Sequence, residues 1–430
     1  MTTAKALDPI FVHASPRSGS TYFFNVLRRN KDLLCFNEAI IDGKHDLARF
    51  RSGEGNVTSL DRTARWDVNH QFLEREDFDE FILAWDAVMH LCPKFPTFVN
   101  YLPPKGCLSF ELTRYLTALI DYASSQGKRP VLCEINSRGR AGALRAKLGG
   151  FHIAQYRDPL SQFGSFIRAV IEVGFWGFLA FPATELGTNG THPLYLIIPE
   201  PWRAPQLAWH AETRAQHWAS DAQYFATVGS SRPEQLEHVF RWHLFSWVLT
   251  NLAALSYCDV GLDIDKAHDD GSYRAWFTDN LSRSLGVVID FEDIRKFDRY
   301  YDFEAFDAFT ICDQVVSTVH DAVNDGRLAI ALRSLGRQPP TTPLASAIDL
   351  LFTKISDSKI SMRNDNARRH VTSQEWKSIA EANRKIWFNP QIRSAAQHLY
   401  PLVAPVARTG RRLEAWYKRR RSGVVTAVRP

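Results

Sequence analysis

Short apolar runs alternate with amphipathic stretches along the first 300 residues of the chain. Residues 10–14 form an apolar run rich in β-formers, turn residues follow, and helical spacing resumes over residues 20–29. The same alternation predicts further strands at residues 131–134, 151–156 and 260–264, and further helices at residues 71–91, 108–124, 140–148, 236–255 and 273–285 and from residue 159 onward. Because strands that alternate with helices favour a parallel sheet with both faces covered, we predict an α/β fold class. Its expected form is a three-layer α/β/α arrangement around a central parallel sheet, with helical and aromatic-rich insertions.

The pattern changes at three places, which suggest a domain organisation. Residues 173–234 are rich in aromatic residues, glycine and proline, and we interpret them as an insertion or lid within an α/β domain that spans residues 1–300. Residues 301–407 are mixed and largely helical, which predicts a C-terminal extension. Residues 408–430 form a basic tail.

The composition is that of a folded protein with an ample core. Hydrophobic residues make up 45% of the chain and charged residues 23%, which excludes intrinsic disorder. No apolar stretch of signal-peptide length precedes residue 10, and no apolar window reaches the roughly 20 residues needed to cross a bilayer. The six cysteines contain no Cys-x-x-Cys pair, which favours a reducing compartment. These features together predict a cytoplasmic location; the cysteines are Cys35, Cys92, Cys107, Cys133, Cys258 and Cys312.

The charge is unevenly distributed. The chain has a formal net charge of +5, yet residues 408–430 alone contribute +7, from eight basic residues and one acidic residue. The other 407 residues therefore carry a net charge of −2. The excess positive charge belongs to the tail, which could contact an anionic membrane surface or an acidic polymer, or could simply be solvated. No feature of the charge pattern points to a nucleic-acid partner.

The segment between the first predicted strand and helix has the composition of an anion-binding loop. Backbone N–H groups of such a turn converge with the positive end of the helix dipole. Ser18, Ser20 and Thr21 add hydroxyl donors, and Gly19 permits close approach. Arg17 adds a permanently charged group suited to phosphate or sulfate oxygens. The alternative is that this segment binds nothing and is an ordinary turn that caps the helix.

This loop departs from the Walker A motif of ordinary ATPases and GTPases. The first glycine of that motif is replaced by Ala14, and its lysine by Ser20. Instead, the run Pro16-Arg-Ser-Gly-Ser-Thr-Tyr22 resembles the 5′-phosphosulfate loop of sulfotransferases, which use 3′-phosphoadenosine 5′-phosphosulfate (PAPS) as sulfuryl donor. The resemblance implies a P-loop-like fold. It also implies that Pro16 through Thr21 bind the donor.

A second motif of the same family lies at the predicted position along the chain. The family places an Arg at the end of a later strand and a Ser eight residues further on, both gripping the 3′-phosphate, and Arg157 and Ser165 match this spacing. The geometry is sensible without the resemblance, because an Arg at the carboxyl end of a parallel strand points into the ligand crevice of open α/β sheets. Ser165 then lies about two helical turns on. Ser161 is a less favoured alternative to Ser165. In a third interpretation, Arg157 has a purely structural role in an Arg-Asp turn.

Sulfuryl transfer needs a base for the acceptor hydroxyl and positive charge at the leaving oxygen. Arg17 suits the second role, because its guanidinium stays ionised and can stabilise charge. Glu38 is our candidate base: it follows the first helix and resembles a Glu-Pro element of the family, with Ala39 in place of the proline. A solvated loop carboxylate is the alternative for Glu38. Arg138 could meet the nucleotide or the acceptor, or could face solvent.

These residues predict an enzyme that needs no metal. No histidine has metal-like partners of the H-E-x-x-H kind, and paired metal carboxylates are missing from the sequence. The acceptor is expected to be a glycan, a glycolipid or a small metabolite, with carbohydrate favoured because the motifs resemble the bacterial carbohydrate and tyrosyl branches of the family. The product nucleotide would be adenosine 3′,5′-bisphosphate. Two alternatives stay open: a small-molecule kinase with a degenerate phosphate loop, and a protein that binds an anionic nucleotide or polysaccharide without turnover.

Overall fold

The structure is a computed structural model. It describes residues 8–40, 79–93, 101–173, 177–187, 190–204, 233–291, 294, 300–336 and 339–388. The predicted helix at residues 71–91 lies partly outside this set, as does the proposed insertion at residues 173–234. The basic tail at residues 408–430 lies wholly outside it.

Five parallel strands form the central sheet. They are β1 (Ile10–His13), β2 (Leu33–Asn37), β3 (Arg129–Glu134), β4 (Phe151–Tyr156) and β5 (Val260–Asp263), in the spatial order β2-β3-β1-β4-β5. The strands are largely buried, which explains why their sequences are nearly continuous apolar runs rather than alternating ones. The predicted α/β class and its parallel sheet are confirmed.

Helices and irregular turns surround the sheet and extend beyond it. The α-helices of the described residues are α1 (Ser20–Arg28), α2 (Asp79–Leu83), α3 (Trp85–Val88), α4 (Phe110–Ser125), α5 (Ala141–Leu148), α6 (Pro159–Val173), α7 (Gly177–Gly187), α8 (Pro193–Leu196), α9 (Pro233–Tyr257), α10 (Ile264–Asp269), α11 (Gly271–Leu285), α12 (Ala308–Asn324), α13 (Arg327–Arg333), α14 (Leu344–Asn364) and α15 (Ser373–Phe388). Short 3₁₀ helices occur at Met89–Leu91, Pro104–Gly106, Arg138–Arg140 and Glu200–Trp202.

Successive residues of β1 show how helices cover both faces of the sheet. Ile10 and Val12 belong to one buried cluster, which includes Phe23 of α1 and Phe277 of α11. Phe11, whose side chain points the opposite way, belongs to another cluster formed with α4. The sheet is therefore the middle layer of three.

One strand of the central sheet was not predicted from the sequence. The pattern assigned no element to residues 33–37, but they form β2, the edge strand that pairs with β3. The run is only five residues long and begins soon after α1 ends at Arg28, so it is too short to show a clear period of its own. As a result, Glu38 directly follows a strand of the central sheet.

The predicted helices that lie within the described residues are found with small shifts of boundary. The helices predicted at residues 108–124, 140–148, 236–255 and 273–285 are α4, α5, α9 and α11. The described part of the helix predicted at residues 71–91 is broken into α2, α3 and a 3₁₀ turn. Among the described residues, no helix is long and apolar enough to cross a membrane.

The C-terminal helices share the core of the sheet domain. Ile311 of α12 and Leu351 of α14 lie in the same buried cluster as Trp247 of α9 and Phe163 of α6. Two short strands before and after helices α12–α14, β6 (Tyr301–Phe303) and β7 (Arg369–Val371), pair in a small parallel sheet. Side chains from the C-terminal region can therefore reach the edge of the central sheet.

Candidate active site

The predicted site residues gather at the carboxyl edge of the central sheet. From β1 the chain moves to one side of the sheet for β2 and β3, and it then returns to the other side of β1 for β4 and β5. The connections thus diverge at β1, which is where ligand crevices form in open α/β sheets. The segment Ala14–Gly19 follows β1, Glu38 follows β2, and Arg157 follows β4, while Glu134 is the last residue of β3.

Two left-handed residues give the loop after β1 its shape. Gly19, with φ of 86°, is the N-cap residue of α1, and no side chain caps this helix end. The first-turn amides of α1 are therefore disposed as in helix termini that bind anions. Arg17 also has a positive φ, of 65°. A non-glycine residue rarely adopts this conformation, and such outliers concentrate at functional sites.

Ser18 shapes the loop instead of lining its surface. Its side chain is completely buried. The hydroxyl donates to the backbone oxygen of Ser15 at 2.7 Å and accepts from the Ser15 N–H at 3.3 Å. A serine hydroxyl has a single proton to donate, so the expected hydroxyl contact from Ser18 to an anion is not what the structure shows. Ser20 and Thr21, by contrast, are half-buried at the start of α1.

Two buried glutamines, which the sequence interpretation missed, hold the loop. Gln162 of α6 donates through Nε2 to the Ser15 hydroxyl at 2.7 Å and to the Pro16 carbonyl at 2.6 Å. Gln155 of β4 donates to the Ser18 carbonyl at 2.8 Å. In a trans peptide the N–H points opposite to the C=O. The two glutamines therefore turn the N–H groups of the next residues, Arg17 and Gly19, to the other side of the loop.

The side chain of Arg17 is fixed by contacts with two helices. Its Nε donates to the Ser165 hydroxyl of α6 at 2.8 Å, and its guanidinium lies 5.7 Å from the ring centre of Phe178 in α7. This distance suits a cation–π contact. Ser165 is half-buried and accepts this bond with its oxygen, so its own proton can be donated elsewhere.

Arg157 joins the second motif to the first. Its Nη1 donates to the Arg17 carbonyl at 3.1 Å, and its Nη2 donates to the Ser161 hydroxyl at 2.8 Å. Ser161, the less favoured alternative, is completely buried, whereas Ser165 is half-buried. Two motifs that lie 140 residues apart in the sequence are thus linked by direct hydrogen bonds at one edge of the sheet.

Glu38 stands at the same edge, with β3 between its strand and β1. It has a positive φ of 53°, and its N–H donates to the Cys133 carbonyl at 2.7 Å. The amide of Ile40, two residues on, donates to the carboxylate of Glu134 at 2.8 Å. The turn that presents Glu38 is therefore held by β3.

Glu134 is a second acidic residue at this edge, and the sequence interpretation gave it no role. It is fully buried, and its burial raises the pKa of the carboxyl well above the ordinary value, against the opposing effect of the amides and of Arg140. The nearby charge of Glu38 acts in the same direction as burial. A carboxyl at the end of an apolar central strand is the signal that could have identified it.

Arg138 is not the solvent-facing residue that one interpretation allowed. Only 2% of its surface is exposed, and its Nη2 donates to Glu185 of α7 at 2.6 Å. Ser246 of α9 donates to the same carboxylate oxygen of Glu185. The pair therefore connects the end of β3 to α7, the helix that also carries Phe178.

Two buried histidines, His13 and His152, belong to one hydrogen-bonded network. His13 Nε2 lies 2.9 Å from His152 Nδ1, and His13 Nδ1 lies 2.7 Å from the Ser137 hydroxyl. Burial lowers the pKa of His13 well below its ordinary value, so both rings belong to a neutral buried network. Within the described part of the chain, no group of three or more His, Cys, Asp or Glu side chains is placed to hold a metal ion.

Comparisons with models of protein families, with curated proteins and with solved structures find no match to this chain. The assignment of function therefore depends on the residues and their geometry.

Proposed function

We propose that the protein is a PAPS-dependent sulfotransferase that transfers a sulfuryl group to a hydroxyl of its acceptor. One observation carries the proposal: the two motifs that resemble donor-binding elements meet through Arg17. Its Nε donates to Ser165, and its carbonyl accepts from Arg157. The alternative, a purely structural contact within the turn after β4, does not explain why Arg17 of the loop after β1 bonds to both Ser165 and Arg157.

The donor would be held by both motifs. In the proposal the loop amides, the start of α1 at Ser20 and Thr21, and the guanidinium of Arg17 bind the 5′-phosphosulfate. Arg157 and Ser165 bind the 3′-phosphate. Both Ser165 and Ser161 accept a hydrogen bond from an arginine and keep a proton to donate. Ser165 is preferred because its hydroxyl is half-buried, whereas Ser161 is completely buried. Pro16 and Ser18 contribute by shaping the loop.

The proposed reaction is an in-line displacement at sulfur. The acceptor oxygen forms a bond to sulfur as the bond between sulfur and the 5′-phosphate oxygen breaks, and adenosine 3′,5′-bisphosphate leaves with the bonding pair. The hydroxyl proton passes to the carboxylate of Glu38, which acts as general base. Arg17 neutralises the charge that grows on the leaving oxygen. No metal is needed for this scheme, because arginine and backbone amides supply the positive charge.

Finer features belong to the same proposal. They are a P-loop-like variant of the α/β fold, a cytoplasmic location, and an acceptor among glycans, glycolipids and small metabolites. Carbohydrate is the favoured acceptor class, since the motifs resemble the carbohydrate and tyrosyl branches of the family. Peripheral contact of the basic tail with an anionic membrane would bring such an enzyme close to a glycolipid.

The decisive test compares two nucleotides that differ only in the 3′-phosphate. Isothermal titration calorimetry would measure binding of adenosine 3′,5′-bisphosphate and of adenosine 5′-monophosphate to the wild type and to Arg157→Met. A charged hydrogen bond contributes about 1.5–3 kcal/mol. We therefore expect the variant to lose roughly ten- to a hundredfold in affinity for the bisphosphate and to keep its affinity for the monophosphate.

Arg145→Met is the matched control. Arg145 lies on α5 and pairs with Asp259 through two bonds of 2.9 Å, away from the loop, so its loss should leave both affinities unchanged. In a transfer assay, Arg157→Met should raise the KM for PAPS more than that for the acceptor. Wild-type protein that binds ATP with Mg²⁺ but not the bisphosphate would instead indicate a kinase. Binding of heparin alone would indicate a polysaccharide-binding protein.

A further inference from the structure

Helix α14 brings two polar side chains to acidic residues that lie next to Arg157. Lys354 and Ser358 are four residues apart and therefore lie on one face of the helix. The ammonium of Lys354 lies 2.7 Å from Asp263 and 3.0 Å from Asp265. The hydroxyl of Ser358 donates to Asp158 at 2.5 Å. The C-terminal region thus reaches the carboxyl ends of β4 and β5.

Asp265 is shared between this lysine and Arg157. One carboxylate oxygen of Asp265 accepts from the Asp158 N–H at 2.6 Å and faces Lys354. The other oxygen lies 3.8 Å from Nε of Arg157, which is beyond hydrogen-bond distance. The two terminal nitrogens of Arg157 are turned instead to the Ser161 hydroxyl and the Arg17 carbonyl.

These charges are well shielded from water. The side chains of Arg157 and Lys354 are each 11% exposed, and that of Asp265 is 6% exposed. Burial alone would raise the pKa of Asp265, but the charges of Lys354 and Arg157, together with the hydrogen bonds from the Asp158 N–H and Lys354, outweigh it, and the net shift is downward. The carboxylate is therefore ionised at neutral pH, and its attraction for neighbouring cations is strong in this setting.

We propose that Lys354 is a positioning residue for donor binding: it neutralises Asp265 and Asp263, so that Arg157 stays turned toward the nucleotide. This inference rests on the proposed function of Arg157. Without the lysine, an uncompensated Asp265 would draw the guanidinium from its long 3.8 Å contact into a close ion pair. That movement would remove Arg157 from the Arg17 carbonyl and from the 3′-phosphate.

The test measures binding of adenosine 3′,5′-bisphosphate by isothermal titration calorimetry. Lys354→Met should weaken binding by roughly tenfold, the lower end of the loss that follows removal of an outer partner that orients a metal ligand. Affinity for adenosine 5′-monophosphate should not change. Lys359→Met is the matched control, because this lysine lies on the same helix and pairs with the exposed Asp313 at 2.6 Å. It should bind the bisphosphate as the wild type does.

The double variant Lys354→Met with Asp265→Asn separates positioning from simple support of the fold. It removes the lysine together with the carboxylate charge that faces Arg157, while asparagine still offers an oxygen to the Asp158 N–H. Asp263 also loses its lysine, but burial already raises the pKa of this carboxyl, so a proton can neutralise it. Bisphosphate affinity should therefore return close to the wild-type value. This holds even if the single variant does not fold. A folded Lys354→Met protein with unchanged affinity would overturn the inference, and so would a double variant that binds at least tenfold more weakly than the wild type. Wild-type protein that does not bind the bisphosphate would instead refute the proposed function itself.

Discussion

Replacing Gly19 by alanine tests whether the backbone of the loop after β1 is set for binding. Gly19 has φ of 86°, and an added Cβ would lie 3.3 Å from Cγ1 of Ile264 and 3.4 Å from Nε2 of Gln155. Gln155 is the side chain that holds the Ser18 carbonyl and so directs the Gly19 N–H. The substitution therefore disturbs both the conformation and the support of the loop.

The expected magnitude follows from these two effects. A left-handed conformation costs an alanine about 1–2 kcal/mol relative to the right-handed one. Crowding against Ile264 and Gln155 adds about 1 kcal/mol, the lower end of the range for overpacked sites. We thus expect Gly19→Ala to reduce the free energy of unfolding by about 2–3 kcal/mol. Loss of a well-directed amide should weaken binding of adenosine 3′,5′-bisphosphate at least tenfold, which corresponds to about 1.4 kcal/mol.

Gly286→Ala is the control for the conformational part. Gly286 ends α11 with φ of 68°, and an added Cβ there would meet nothing within 4 Å. It should lose about 1–2 kcal/mol of stability and keep full affinity for the bisphosphate. Urea unfolding followed by tryptophan fluorescence and calorimetric titration measure the two quantities. The reasoning is refuted if Gly19→Ala is no less stable than Gly286→Ala and binds the nucleotide normally.

Two further predictions concern the acidic and hydroxyl groups of the site. The pKa of Glu134 is raised in the folded protein above its ordinary value of 4.5, so this group favours folding at low pH and loses that contribution as pH rises above 4.5. The free energy of unfolding of Glu134→Gln should therefore increase relative to that of the wild type, by up to about 1.4 kcal/mol per pH unit above that value. Urea titrations at several pH values measure this difference. A difference in unfolding free energy that does not change with pH would contradict the burial argument. Ser165→Ala should lower affinity for the bisphosphate about tenfold, since it removes one donor to a charged phosphate. Ser161→Ala should lower it less, and the opposite order in calorimetric titrations would assign the 3′-phosphate to Ser161.

Much of the fold could be predicted because buried parallel strands leave a clear pattern. β1, β4 and β5 are apolar runs bounded by turn residues, and they were located to within a residue or two. β2 was missed because its run of five residues, four of them apolar, is short and lies close to the end of α1. β6 and β7 have only three residues each, too few to show any period. The length of a strand and the turn residues on either side of it, rather than its hydrophobicity, decided whether it could be predicted.

The residues of the candidate site differ in how far they could be predicted from the sequence. The groups proposed to bind the donor come from two contiguous motifs, so their order along the chain was enough to find Arg17 and Arg157. The groups that support these motifs come from elsewhere. Gln162, in the first turn of α6, holds the Pro16 carbonyl, and Lys354, which we propose to position Arg157, lies almost two hundred residues after it. Nothing in the local sequence of a glutamine or a lysine tells whether it will be buried against a loop, because that depends on the order of the strands and on which helix covers them. A motif search therefore finds the residues that we propose to contact the ligand, whereas the residues that hold or orient them become visible only when the chain is folded.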